Sequence, residues 1–379
     1  MKKASILAMS MSLGMAMAGT TSCRQQATEK SNEDMLTLIA GSYASAQEEG
    51  IRLFSFNQRT GQMDSLGGVK GIDNPSFLAV TADHKRIYAV GENDQFHATA
   101  HLLAYDSATH TLAVCDTQQA GGAAPCHVAL TPDGAFLLTA NYNGGSVSAL
   151  PIRQDGKLEP PIVARFNGCG PDSTRQEQAH LHHVYFSPDE RYLMANDLGS
   201  DCIHLFPLEK GCKALADTTA WTRTCLEAGS GPRHATWNRR GDRLYIIDEL
   251  KGDVVVMEYA GGVLQQLQSI QADTVGARGS ADIHLSPDER HLYASNRLQA
   301  DGIAIFSVDE HTGMLTRIGY QPTGPHPRNF ALSPNGRFVV VACRDNNRIE
   351  VYARDEQTGL LSPTGKGADM KKPVVVKMW

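Results

Sequence analysis

Ionisable and amide side chains recur in this chain at two fixed places around a repeated unit. At the head of one apolar run stand His127, His182, Arg233 with His234, Asp282 with His284, and Arg328 with Asn329. At the tail of the next apolar run stand Asn141 with Tyr142, Asn196 with Asp197, Asp248 with Glu249, Asn296 with Arg297, and Arg344 with Asp345. The chemistry open to such a set is hydrolytic. A carboxylate or a neutral imidazole can deprotonate water. Guanidinium and amide groups can stabilise an oxyanion, and arginine grips phosphate in bidentate fashion. No P-loop, no G-x-G-x-x-G after a strand, no H-E-x-x-H and no G-x-S-x-G competes with that reading.

The elements that must position these groups form a repeat. An apolar strand, a turn of the Ser/Thr-Pro-Asp-Gly type and a second apolar strand recur at 127–141, 183–197, 234–248, 283–296 and 329–343, with a weaker copy at 77–91. The turn positions Pro132, Pro188, Arg239, Pro287 and Pro334 lie 56, 51, 48 and 47 residues apart. A β-rich period of roughly 50 residues is the mark of propeller blades. Each unit holds four strands: in one copy, His234 to Trp237, Arg243 to Asp248, Val254 to Tyr259 and Val263 to Ser269. Two stacked sandwiches would leave the even period unexplained.

Six copies follow in order, and a seventh is split. Leu36 to Gly41, Ile51 to Asn57 and Gly61 to Val69 supply three strands, and the run Lys372 to Val376 supplies the fourth. The expected fold is all-β, a seven-bladed β-propeller closed by pairing the C-terminal strand with the N-terminal blade. Closure removes sticky sheet edges. It also makes a monomer the default. In such a ring the innermost strand lines the channel, so the head of the first strand and the tail of the second share one channel mouth. Polar groups of five blades therefore converge there, a functional-site signal. The opposite face receives the repeated turns.

Composition frames the partners. The 379 residues carry a net charge of −6, which gives no electrostatic case for nucleic acid. Lys2 and Lys3 precede the apolar run Ala4 to Gly19, and Cys23 follows small residues. Residues 1–23 read as a secretory leader with a lipidation site at Cys23, and 24–34 as a polar tether to a domain at 35–379. The expected location is periplasmic or membrane-anchored, the membrane being touched only through that lipid. Seven further cysteines without a C-x-x-C argue against a zinc site and against full pairing. Mostly buried free thiols are expected, with Cys202–Cys212 as the one candidate bridge. His97 and His101 fall in a long loop and read as surface or rim residues.

Gly-Pro-Arg-His (231–234) with Asp-Glu-Leu (248–250), Ala-Asp-Ile-His (281–284) with Ser-Asn-Arg (295–297), and Pro-Arg-Asn-Phe (327–330) carry a resemblance, joined by Ala-Asn-Tyr-Asn-Gly-Gly (140–145) and Ala-His-Leu-His-His (179–183). Together they resemble the propeller-type 6-phosphogluconolactonase family over residues 35–379. The resemblance implies hydrolysis of 6-phospho-D-glucono-1,5-lactone to 6-phosphogluconate, without metal or organic cofactor; some relatives take muconate-type lactones. Lactone hydrolysis needs a base, oxyanion donors, a proton for the leaving ring oxygen and cations for a phosphate. Glu249 or His182 is the expected base, with His234 as proton donor or orienter. Arg297 and Arg233 are expected at the oxyanion or phosphate with Arg328 nearby, and Asn141 and Asn329 at substrate hydroxyls. His127 and His284 complete the expected binding set.

Structural readings stand beside these. His127 can clamp neighbouring blades, Asp282 can bond backbone, Asn141 can cap a turn, and Arg233 and Arg328 can tie blades together. Glu249 can pair with Arg297 or Arg233 in either role. Adjacent His182 and His183 should face opposite sides of a regular strand, placing at most one in the channel. An exported chain would meet little phosphorylated lactone. A non-phosphorylated lactone, a cytoplasmic chain whose N-terminus is not a leader, or a non-catalytic carbohydrate- or protein-binding propeller therefore stays open.

Overall fold

The computed structural model describes residues 34–94 and 96–379; the leader, Cys23 and nearly all of the tether lie outside the described residues. The chain forms seven four-stranded antiparallel sheets. Six are built from consecutive strands, from Leu78–Val80 through Leu361–Asp369. In the seventh, Pro373–Met378 pairs with Met35–Ser42, with Ala40 opposite Val376 and Gly41 opposite Val375. The ring closes as the split repeat predicts.

The second strand of each blade is buried on both faces, which is why its sequence is apolar almost throughout. The core lies between blades. Leu138 and Ala140 pack with Leu181, Val184 and Phe206 of the next blade, and Leu38 and Phe54 of the closing blade pack with Val340 and Val351. Tyrosines add a repeated inter-blade staple: Tyr88, Tyr245 and Tyr293 each donate their hydroxyl to a glycine carbonyl of the following blade, at Gly156, Gly313 and Gly359.

The turn chemistry is equally regular. Thr131, Ser187, Ser286 and Ser333 each donate a side-chain hydrogen bond to the acidic or amide residue two positions on, at 2.5–2.7 Å. Where the proline is replaced by Arg239, Asn238 accepts from the Asp242 and Arg243 amides instead.

Two expectations need correction. The single disulfide among the described residues joins Cys202 to Cys225, not to Cys212. Cys202 and Cys225 sit directly opposite each other on neighbouring strands, while Cys212 lies in the 208–221 insertion between those strands, buried and free. Cys126 and Cys343 are likewise buried free thiols; Cys115 and Cys169 are exposed. His97 is exposed, but His101 belongs to strand Thr99–Asp106, is buried, and contacts the Thr99 and Thr117 hydroxyls.

One irregularity shapes the channel. In six blades the innermost strand carries a register shift or β-bulge at its head: at Pro125/His127, Leu181/His183, Pro232/Ala235, Ser280/Ile283, Pro327/Asn329 and, in the closing blade, Pro373/Val375. A bulge sets two residues against one and re-aims side chains. Each blade thereby gains a side chain at the channel that strict alternation would deny it.

Candidate active site

The bulges build two stacked levels. In the lower level Phe77, His127, His183, His234, Asp282 and Asn329 follow one another around the channel. Ring centroids are 4.1 Å apart for Phe77–His127, 4.3 Å for His127–His183 and 5.0 Å for His183–His234. His234 Nδ1 then lies 2.7 Å from Asp282 Oδ1, and Asn329 Nδ2 donates to Asp282 Oδ2 at 2.5 Å. Contacts also span the belt: His127–His234 at 5.5 Å and Phe77–His234 at 5.9 Å. The belt therefore narrows the channel and divides it into an upper mouth and a lower chamber.

His182 and His183 both reach this region, against the alternation argument. His182 lies 5.3 Å from the His234 ring and 5.6 Å from Tyr142. The bulge between Leu181 and His183 is the reason. Burial is the main force holding His127, His182 and His183 well below the usual imidazole range and His234 at about 4. Among the described residues, four buried imidazole nitrogens have no hydrogen-bond partner: Nδ1 of His127, His182 and His183, and Nε2 of His234.

Above the belt, Glu249 collects three guanidiniums. Its Oε2 lies 2.7 Å from Arg233 Nε and 3.3 Å from Arg297 Nη2; its Oε1 lies 2.6 Å from Arg175 Nη2. Burial opposes the carboxylate charge, yet Arg297, Arg233 and Arg175 outweigh it and bring the carboxyl to about 2. Arg233 is 1% exposed and also donates to the Ala281 carbonyl. Arg297 donates to the Gly279 carbonyl and lies 3.3 Å from His326. Across the mouth, the Arg328 guanidinium rests 5.2 Å from the Tyr43 ring centroid and 3.9 Å from Glu92, whose carboxylate accepts from the Tyr43 hydroxyl at 2.9 Å.

Glu249, Arg233, Arg297, Arg328, His182 and His234 thus come together. Four expected members do not join them at the mouth. Asn141 spends its side chain inside its own blade, accepting from Thr139 and donating to Ser146 and Ser148. Asn329 is consumed by Asp282 and by the Val376 amide, which makes it a staple to the closing strand. His284 and His127 line the lower chamber, the former bonded through Nε2 to Asp282. Asp282 is more than the backbone contact expected: it accepts from the Phe330 amide and also holds two imidazoles and an amide.

Sequence reasoning missed Tyr43, Glu92 and Arg175. The first two follow second strands, as Glu249 and Arg297 do, so the repeat register carried the signal in the two blades where it was not applied. Arg175 comes from the loop between Ile162–Arg165 and Leu181–Phe186, which no repeat position marks. Gln176 anchors that loop by donating to the Leu198 carbonyl and to Asp201.

Known proteins share this architecture. The chain is 37% identical over 318 residues to a 6-phosphogluconolactonase of Formosa agariphila, spanning 82% of this chain and 90% of that protein. It is 30% identical to a 6-phosphogluconolactonase of Bacillus subtilis, over 89% and 96% of the two chains. The solved periplasmic gluconolactonase of Pseudomonas aeruginosa superposes with a TM-score of 0.84 at 31% identity, covering 91% of this chain and 99% of that one. A crystal structure from Bacteroides fragilis gives 0.87 at 44% identity, over 92% and 99%. A family model described as Lactonase, 7-bladed beta-propeller matches residues 37–378, and the chain belongs to that family.

Proposed function

We propose that this chain is a carboxylic-ester hydrolase that opens a sugar lactone at the upper mouth, with 6-phospho-D-glucono-1,5-lactone as the leading substrate. The observation that carries the preference for an acidic lactone is the charge balance there. Four guanidiniums, Arg175, Arg233, Arg297 and Arg328, share two carboxylates, Glu249 and Glu92. The surplus of positive charge suits a phosphate and a developing oxyanion.

Both oxygens of Glu249 are engaged by guanidiniums, so Glu249 serves as the counter-ion that orders them. The base is assigned to His234. Its Nδ1 is engaged by Asp282 and its Nε2 is free to accept. This changes the role expected from sequence for His234, and His182 stands beside it with 5.3 Å between ring centroids. His234 takes a proton from water, whose oxygen bonds to the lactone carbonyl carbon. Arg297 and Arg328 meet the oxyanion and the phosphate. The carbon–ring-oxygen bond then breaks, and the imidazolium returns its proton to the ring oxygen, leaving an open-chain acid.

The domain limits 1–23, 24–34 and 35–379 and export belong to the same proposal. The apolar run before Cys23, the Cys202–Cys225 disulfide and the likeness to a periplasmic gluconolactonase support export, because disulfides persist in oxidising compartments. That set favours a second reading, a non-phosphorylated gluconolactone. pH-stat hydrolysis of both lactones by the chain without residues 1–23, corrected for spontaneous opening, separates the readings. Faster turnover of the phosphorylated lactone supports the first, faster turnover of the free lactone the second. No excess rate on either overturns both.

A further inference from the structure

The belt has a second side. Below it lies a chamber of about 620 Å³ that opens toward the face of the repeated turns, away from Glu249 and the arginines. We propose that this lower chamber is a separate binding site for a compact monocarboxylate. The inference uses no residue of the Glu249–arginine cluster, although His234 and Asp282 of the catalytic reading also line this chamber from the belt.

The first support is an ammonium group without an anion. Lys377 lines the chamber with its Nζ 5.1 Å from the Phe77 ring centroid, and that ammonium makes no hydrogen bond or salt bridge among the described residues. Asp282 is the acid that acts on it electrostatically, but that carboxylate is already taken. It accepts from His234 Nδ1, His284 Nε2, Asn329 Nδ2 and the Phe330 amide. Three of those donors crowd Oδ2 and one sits on Oδ1, so the carboxylate is already heavily shared before Lys377 is considered. Burial pulls the Lys377 ammonium below its usual range, with Asp282 opposing, as expected for a cation short of a counter-ion.

The second support is independent of charge. His127 and His183 line the same chamber, are 7% and 8% exposed, and each keeps Nδ1 without a partner. An unsatisfied buried polar atom costs about 1–3 kcal/mol, so a ligand that satisfies it binds with that advantage. The walls are aromatic: Phe77, Phe330 and Trp379, the last stacked on His84 at 5.3 Å. One ammonium matches a single carboxylate, the two unpartnered imidazole nitrogens lie buried in the chamber's wall, and the aromatic faces match a compact ring or carbon chain. A phosphate dianion would demand more cationic donors than the chamber offers. A metal ion would meet the Lys377 charge and a carboxylate already shared by four donors.

Trp379 is the one tryptophan of three that lines the chamber, so its fluorescence reports occupancy. Gluconate and benzoate are titrated into the wild-type chain, with glucose and inorganic phosphate as controls. The expected result is saturable quenching by both carboxylates alone. Lys377→Met should weaken it about tenfold or more, while Lys377→Arg, which keeps the charge, and Arg297→Ala at the upper mouth should retain it. A Lys377→Met chain that has lost its native circular dichroism is replaced in the comparison by Lys377→Gln. Quenching lost in Arg297→Ala and kept in Lys377→Met would place the acid at the upper mouth and overturn the proposal. Equal quenching by phosphate, or none by either carboxylate, would overturn it as well.

Discussion

His234 meets Asp282 through Nδ1 at 2.7 Å, and its other ring nitrogen, Nε2, is buried without a partner. The carboxylate fixes the tautomer with the proton on Nδ1 and leaves Nε2 as an acceptor. Asp282→Asn retains the size of the side chain but can present an amide N–H to Nδ1 and enforce the other tautomer. We expect kcat to fall about 10²- to 10⁴-fold with a smaller change in KM, the range typical of a mis-set general base. Steady-state kinetics on the preferred lactone provides the check. An unchanged kcat in a folded Asp282→Asn chain would reduce the pair to a blade clamp.

Glu249 is expected to matter for stability as much as for rate. Arg233 and Arg297 are buried, and each loses its anionic partner in Glu249→Gln. Breaking a buried pair by removing one partner costs about 3–5 kcal/mol. The backbone carbonyls of Ala281 and Gly279 still accept from the two guanidiniums, which favours the lower end of that range. Urea denaturation of both chains reads the difference directly. Because Glu249 is assigned as a counter-ion, the acid limb of the pH–rate profile should keep its position in the variant. A limb that moved or vanished would return the base role to this carboxylate.

These two residues also mark how far the sequence could be read. The blades were legible because four-strand periodicity and the Ser/Thr-Pro-Asp turn are local signals, repeated at nearly even spacing. The mouth was legible because strand heads and tails are fixed by that register, and Glu249, Arg233, Arg297 and Arg328 fell where it placed them. The exceptions have physical causes. A β-bulge adds one residue to a strand without a composition cue, so His182 and His183 could not both be assigned to the channel. Asn141 and Asn329 sit in register, but Asn141 satisfies its amide within its own sheet and Asn329 between the two neighbouring blades, a competition set by nearby serines, a carboxylate and a backbone amide. Arg175 arrives from a loop, where no periodicity operates. The Cys202–Cys225 pairing followed from hairpin register across an insertion whose length hid it.

The imidazole belt predicts a pH-sensitive fold. His127, His182 and His183 are held well below the ordinary value of 6.5, and His234 is held at about 4, chiefly by burial. Depressed histidines bind fewer protons folded than unfolded in that window, so stability rises with pH there. Their contribution is fully present above about 6.5. It is lost as pH falls from 6.5 toward about 4, by about 1.4 kcal/mol per pH unit for each imidazole that stays neutral in the fold. Denaturation midpoints at pH 7.5, 6.5 and 5.5 should fall in that order. His127→Phe, which fills the same aromatic run beside Phe77, should flatten the slope by about one proton. A midpoint constant from 7.5 to 5.5 would mean that the four rings gain protons without penalty.

Arg175 offers the sharpest test of substrate charge. It reaches the mouth from a loop, binds Glu249 at 2.6 Å and lies 3.4 Å from the Tyr142 hydroxyl, yet its side chain is 34% exposed. Arg233 and Arg297 are enclosed, so Arg175 is the guanidinium with freedom to turn from Glu249 toward an incoming anion. A charge-assisted hydrogen bond contributes about 1.5–3 kcal/mol, or roughly 10- to 150-fold in kcat/KM. Arg175→Ala should therefore lower kcat/KM for 6-phosphogluconolactone by about that factor and spare unphosphorylated gluconolactone, the loss appearing mainly in KM. Parallel pH-stat measurements give the ratio of the two specificity constants. If both lactones suffer equally, Arg175 orders Glu249 and takes no part in recognising phosphate. If neither suffers, the phosphate is met by Arg297 and Arg328 alone.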